Sequence, residues 1–167
     1  ILLGLFAGGL PLVHTHSYLA LVLFSAGACL YCVITEKNSR WQAFKPWLIY
    51  GAIAAALSLP QLIAFTFVQA TGSDHFLRFQ FNWCNNRGNR GLVDTYLWFY
   101  LKNVGVPYIL ILLALLRRKP KGEAMPDDLR QYRLIACGAF VIYLIAELFK
   151  FQPNEYDNNK LFYVWFL

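Results

Sequence analysis

Two short segments carry most of the residue types that chemistry requires. His14 and His16 stand two apart in Leu12-Val13-His14-Thr15-His16-Ser17. On a helix their side chains would diverge by about 200°, whereas in extended chain they share a face. Pro11 upstream, and Thr15 or Ser17 as caps of a following helix, favour an extended approach. Paired neutral imidazoles can bind a divalent metal, or one can act as a base or as a donor to a phosphate. The plainer alternative is two interfacial histidines bonded to backbone carbonyls.

The second segment is Gln152-Pro153-Asn154-Glu155-Tyr156-Asp157-Asn158-Asn159-Lys160. Pro153 stops one helix, and Asp157 or Asn158 can cap the next. Capping leaves Glu155, Asp157 and Lys160 unexplained as a group. A carboxylate at a helix start with a lysine three residues on offers a base and a cation within one turn. Asp157 is the first candidate for the base and Glu155 the second, with Gln152, Asn158 and Lys160 as substrate-binding groups. A third polar stretch, 69–94, holds Arg78, Arg87 and Arg90 with Trp83. These residues either hold an anionic headgroup or pyrophosphate or form a solvated loop. Lys102 either snorkels to an interface or joins them. Glu147 and Lys150, spaced i,i+3, suggest a structural salt bridge.

The elements that must position these groups are membrane helices. The chain is 58% hydrophobic and 14% charged, whereas soluble domains carry about a quarter charged residues. Apolar runs cover 17–35, 47–67, 94–116 and 134–149, and a fifth begins near Leu161. The expected fold is all-α and membrane-embedded, with about five spans, the last one truncated. Residues 1–13 read as the end of a preceding span or a re-entrant piece, broken at Gly9 and Pro11. The Gly4-to-Gly8 spacing there permits a close helix approach. Pro60 predicts a kink that frees the carbonyl near Ala56. Gly105 and Pro107 interrupt 94–116, which then begins as an interfacial helix. Residues 76–83 alternate apolar and polar side chains, as a short extended piece or an interfacial segment would.

The net charge of +6 does not indicate nucleic acid. Nine of the 15 lysines and arginines fall in the loops 36–47 and 117–133, the pattern of a cytoplasmic orientation signal. Alternation then places the His-x-His segment, 69–94 and 151–160 together on the extracytoplasmic or lumenal face. The membrane is the plasma membrane or the endoplasmic reticulum. The chain opens on Ile1 and stops inside an apolar run, so 1–167 reads as one helical region of a larger polytopic protein. Cys29 and Cys32 share a helix face, as buried reduced thiols or as a redox or metal pair. A Gly-rich phosphate loop, His-Glu-x-x-His and Gly-x-Ser-x-Gly are all absent.

Four motifs together resemble multispan glycosyltransferases of the GT-C type. They are Gly-Leu-Pro-Leu-Val-His-Thr-His-Ser at 9–17, Leu-Pro-Gln-Leu at 59–62, Lys-Asn-Val-Gly at 102–105 and Gln-Pro-Asn-Glu-Tyr-Asp-Asn-Asn-Lys at 152–160. The resemblance implies transfer of a sugar from a polyprenyl-phosphate donor on the extracytoplasmic face. It also implies an acidic residue in an early outer loop near the first span, which this sequence does not contain. Arg78, Arg87, Arg90, Lys102 and Lys160 would meet the donor phosphate, and Asp157 or Glu155 would deprotonate the acceptor. His14 and His16 would hold a divalent metal or bond the leaving phosphate. Expected partners are membrane lipid, the lipid-linked sugar and other membrane subunits. The competing readings are a transporter or channel segment and a non-catalytic membrane subunit of a larger complex.

Overall fold

The computed structural model describes residues 1–68, 77–85, 94–116, 126–151 and 155–167, and for 112, 114 and 155–158 the backbone alone. Seven α-helices carry the described chain: α1 (Leu2–Gly9), α2 (Thr15–Thr35), α3 (Arg40–Gln61), α4 (Tyr96–Val104), α5 (Val106–Leu116), α6 (Asp127–Leu148) and α7 (Glu155–Phe166). A short antiparallel pair, β1 (Arg78–Phe79) with β2 (Phe149–Lys150), joins the 77–85 segment to the end of α6.

Three helices are long and apolar enough to cross a membrane: Thr15–Thr35, Arg40–Phe67 and Asp127–Leu148. The expected third span is instead two helices of 9 and 11 residues. The break falls at Gly105, whose φ of 76° lies in the left-handed region that a residue with a Cβ avoids. Neither piece alone reaches the roughly 20 residues that a hydrocarbon core requires. The expected fifth span begins earlier than its apolar run, at Glu155, and is 12 residues long. Leu30, Ile34, Leu57, Leu59 and Ile63 are exposed on α2 and α3, as side chains that face lipid are.

Small residues set the main helix crossing. α2 packs along α6 at Gly27 and Gly138. A Cβ on Gly27 would lie 2.5 Å from the Cys137 carbonyl oxygen, and one on Gly138 would lie 2.6 Å from the Phe24 ring. The Gly4 and Gly8 spacing works the same way on α1. Added Cβ atoms there would meet Ile53 Cβ at 3.0 Å and Leu57 Cβ at 2.6 Å on α3. Between membrane helices, where burial drives little, such close backbone contact is a main source of attraction. Ala20, Ile142, Ala146 and Leu161 form the buried core beside this crossing.

The direction of each helix fixes which ends meet. Tyr18 Oη and Ser58 Oγ are 2.6 Å apart, and Ser25 Oγ and Tyr50 Oη 3.2 Å, so α2 and α3 run antiparallel. Gly27 against Gly138 and Ala20 against Ile142 and Ala146 make α2 and α6 antiparallel too. The start of α2, the end of α3 and the end of α6 therefore lie at one end of the bundle.

Past Pro60 the third helix widens into a π-helical turn, Leu62–Phe67, one of the recognised ways a helix absorbs a local disruption. Gln61, next to Pro60, donates from Nε2 to Leu57 O at 2.7 Å and to Gly8 O at 3.0 Å. The side chain thus supports the backbone just below the proline and ties α3 to α1. α6, the expected fourth span, ends at Leu148, before Pro153, because Phe149 and Lys150 leave it to pair with the β1 strand.

Candidate functional site

The polar groups that the described residues bring together sit where 77–85 crosses the end of α6. Gln80 N donates to Leu148 O at 2.9 Å, and Trp83 Nε1 donates to Ala146 O at 2.7 Å. Those two bonds lay residues 80–83 over the last turn of α6. Asn82, in the left-handed region at φ 58°, makes the bend that allows both, a conformation Asn tolerates better than most residues.

Glu147 is the centre of this region and is 1% exposed. Tyr100 of α4 donates its hydroxyl to Glu147 Oε2. The Asn82 backbone N–H donates toward the same carboxylate. Glu147 does not pair with Lys150 as the i,i+3 spacing suggests, because the helix ends between them and Lys150 lies in β2. A second phenol pair joins Tyr96 to Tyr143. Burial pushes the Tyr96 phenol up to about 12 and the Tyr100 phenol up as well, with Glu147 adding to the latter. Both remain protonated donors throughout the neutral range. Tyr143 packs against Trp165 of α7, with ring centroids 4.7 Å apart and the planes tilted by 38°, which closes the cluster from the other side.

Asn85 and Asp94 tie the next layer. Asn85, fully buried, donates from Nδ2 to Asp94 O at 2.7 Å and accepts from Asp94 N at 3.2 Å. Asp94 Oδ2 in turn holds Lys102 Nζ at 2.6 Å. A groove of about 470 Å³ opens beside this pair, lined by Phe99, Tyr100, Asn103, Asn159, Phe162 and Trp165 among others. Its polar groups are few and its walls aromatic, the usual make-up of a small-molecule site.

The sequence-predicted residues fall into three sets. His14 and His16 stay together, with ring centroids 5.8 Å apart, but not in extended chain. His14 alone is extended and forms the N-cap of α2, in place of Thr15 or Ser17. Its Nδ1 accepts from Ser17 N at 3.1 Å and lies 2.9 Å from Ser17 Oγ. An accepting Nδ1 puts the ring proton on Nε2, so a metal at Nε2 would displace that proton and break the cap. No group of three or more His, Cys, Asp or Glu able to hold a metal is present among the described residues.

Lys102, Arg78 and Lys160 form the second set. Lys102 is committed to Asp94. Arg78 is in β1, directly opposite Lys150. Lys160 is half-buried in α7, beside Asn159 of the groove. The third set lies outside the described residues: Gln152, Arg87 and Arg90 entirely, and the side chains of Glu155, Asp157 and Asn158. The α7 backbone places Asp157 and Lys160 one turn apart inside the helix, so Asp157 is past the cap position assigned to it.

Sequence reasoning did not single out Asn82, Tyr96, Tyr100 or Tyr143. The one signal for the three tyrosines was the density of tyrosine in and around apolar runs, which aromatic belts explain equally well. Comparison with family models, with curated proteins and with solved structures gives no match.

Proposed function

We propose that the chain is a membrane glycosyltransferase of the GT-C type, and that the end of the bundle holding β1 and β2 receives the phosphate of a lipid-linked sugar. The observation that carries this reading is the register of the strand pair. Arg78 stands directly opposite Lys150. Opposed residues of an antiparallel pair project to the same face with their Cβ atoms about 5 Å apart, and like charges so placed destabilise the ladder. A phosphate between them would accept a charge-assisted bond from each. In this reading the groove lined by Asn103 and Asn159 takes the sugar, since aromatic faces and amides suit a carbohydrate.

Arg78→Ala and Lys150→Ala in the full chain, reconstituted in nanodiscs, test this with a fluorescent polyprenyl-phosphate sugar as the probe. Charge-assisted bonds contribute about 1.5–3 kcal/mol each, so each substitution is expected to weaken binding about tenfold or more. Unchanged binding in both variants rejects the reading.

A second reading, a transporter segment, is favoured by Glu147 alone. An ionisable residue within a span often marks an ion or proton path. Solute flux into proteoliposomes, absent from protein-free vesicles, would establish it.

A further inference from the structure

Buried charges in proteins are paired or coordinate a cation, and Glu147 is neither among the described residues. Its Oε2 accepts from Tyr100, while its Oε1 is buried with no hydrogen-bond partner. Asn82 lies against it and is 5% exposed, and its Oδ1 is likewise buried without a partner. Two acceptor oxygens therefore lack donors on residues that the Gln80–Leu148 and Trp83–Ala146 bonds hold over one another. Lys102, the cation nearest in sequence to Tyr100, is committed to Asp94. The titratable groups around Glu147 are the phenols of Tyr96 and Tyr100 on α4 and of Tyr143 on its own helix, with Cys84 in the 81–85 turn.

We propose that Glu147 Oε1 and Asn82 Oδ1 are ligands of a buried monovalent alkali-cation site, with sodium as the ion of fitting charge and donor type. Carboxylate and amide oxygens are hard donors, which suit alkali and alkaline-earth ions over transition metals. One carboxylate supplies one negative charge. A monovalent ion makes the site neutral, while a divalent ion would leave net charge in a low-dielectric interior. The site would pin 80–83 to the end of α6. It does not depend on the phosphate-binding reading, because neither Arg78 nor Lys150 takes part.

The test is a titration of the purified full chain in detergent with sodium chloride against choline chloride at constant ionic strength, read by tryptophan fluorescence and by melting temperature. Trp83 bonds the carbonyl next to Glu147 and should report occupancy. The expected result is a saturable fluorescence change with sodium only, and a melting temperature that rises with the logarithm of sodium concentration above the Kd. Glu147→Gln keeps the shape and removes the charge, and should abolish both responses. Should that variant fail to fold, Asn82→Ala should shift the wild-type fluorescence midpoint to higher sodium. Identical behaviour in sodium and choline overturns the proposal. So does a response that follows pH at fixed sodium and ignores sodium at fixed pH, which would identify the missing partner as a proton on Glu147.

Discussion

The middle of α6 and its C-terminal end are held to the rest of the bundle by opposite means. Around Gly138 the contact with α2 is close-packed, with Phe24 and Gly27 taking up the space that side chains would fill. Around Glu147 the contact with α4 and 80–85 runs through hydrogen bonds from Tyr100 and Trp83. The first kind of joint tolerates no added atom. The second tolerates changes of shape but not the loss of a donor. A membrane helix can thus be rigidly docked along one stretch and specifically addressed at its tip, where chemistry needs defined polar positions.

The sharpest way to break this contrast is at the glycines. Gly138→Leu drives a side chain into the Phe24 ring, and Gly27→Leu drives one into the α6 backbone, 2.5 Å from a carbonyl oxygen. Overpacking costs about 1–3 kcal/mol where side chains can yield, and backbone yields less readily. Gly27→Leu should therefore be the more damaging, at the top of that range or beyond. The measurement is the thermal denaturation of each variant in detergent. Equal, small losses would show that α2 and α6 slide apart freely, and the rigid half of the comparison would fall.

Tyr100→Phe tests the polar half and should be the next largest effect. An ordinary interhelical hydrogen bond in a membrane is worth about 0.6 kcal/mol, whereas stranding a buried acceptor costs about 1–3 kcal/mol. A loss near the larger figure marks Glu147 as dependent on its donor. A loss near the smaller figure means that the phenol is one of several exchangeable partners.

The same division explains what could be read from the sequence. Helical spans at 17–35, 47–67 and 134–149 are visible as apolar runs because lipid selects composition directly, and α2, α3 and α6 answer to them. Gly4 and Gly8 are legible because helix geometry puts them on one face. The interruption at Gly105 was visible, but that it ends one helix and starts another depends on a positive φ that tertiary packing imposes. Glu147 invited pairing with Lys150 through its i,i+3 spacing. Where α6 stops, and hence which partner Glu147 meets, is decided by a strand contact with residues some seventy positions earlier. No local pattern encodes that. The cap of α2 was anticipated in place but not in residue, since histidine is an uncommon cap beside the neighbouring Thr15 and Ser17.

That cap gives the smallest effect and separates a structural histidine from a catalytic one. His14 is exposed and its Nδ1 serves the α2 backbone at Ser17. Removing a cap costs about 1 kcal/mol, and asparagine is among the best cap residues. His14→Ala should lower the melting temperature slightly and His14→Asn should restore it. If transfer activity returns with stability in His14→Asn, the imidazole acts only through the helix start, as a positioning residue. If stability returns without activity, the Nε2 proton that the cap leaves directed away from the helix is used in the reaction. His16 would then be the neighbour to test next, because its ring lies near enough to share that proton's environment.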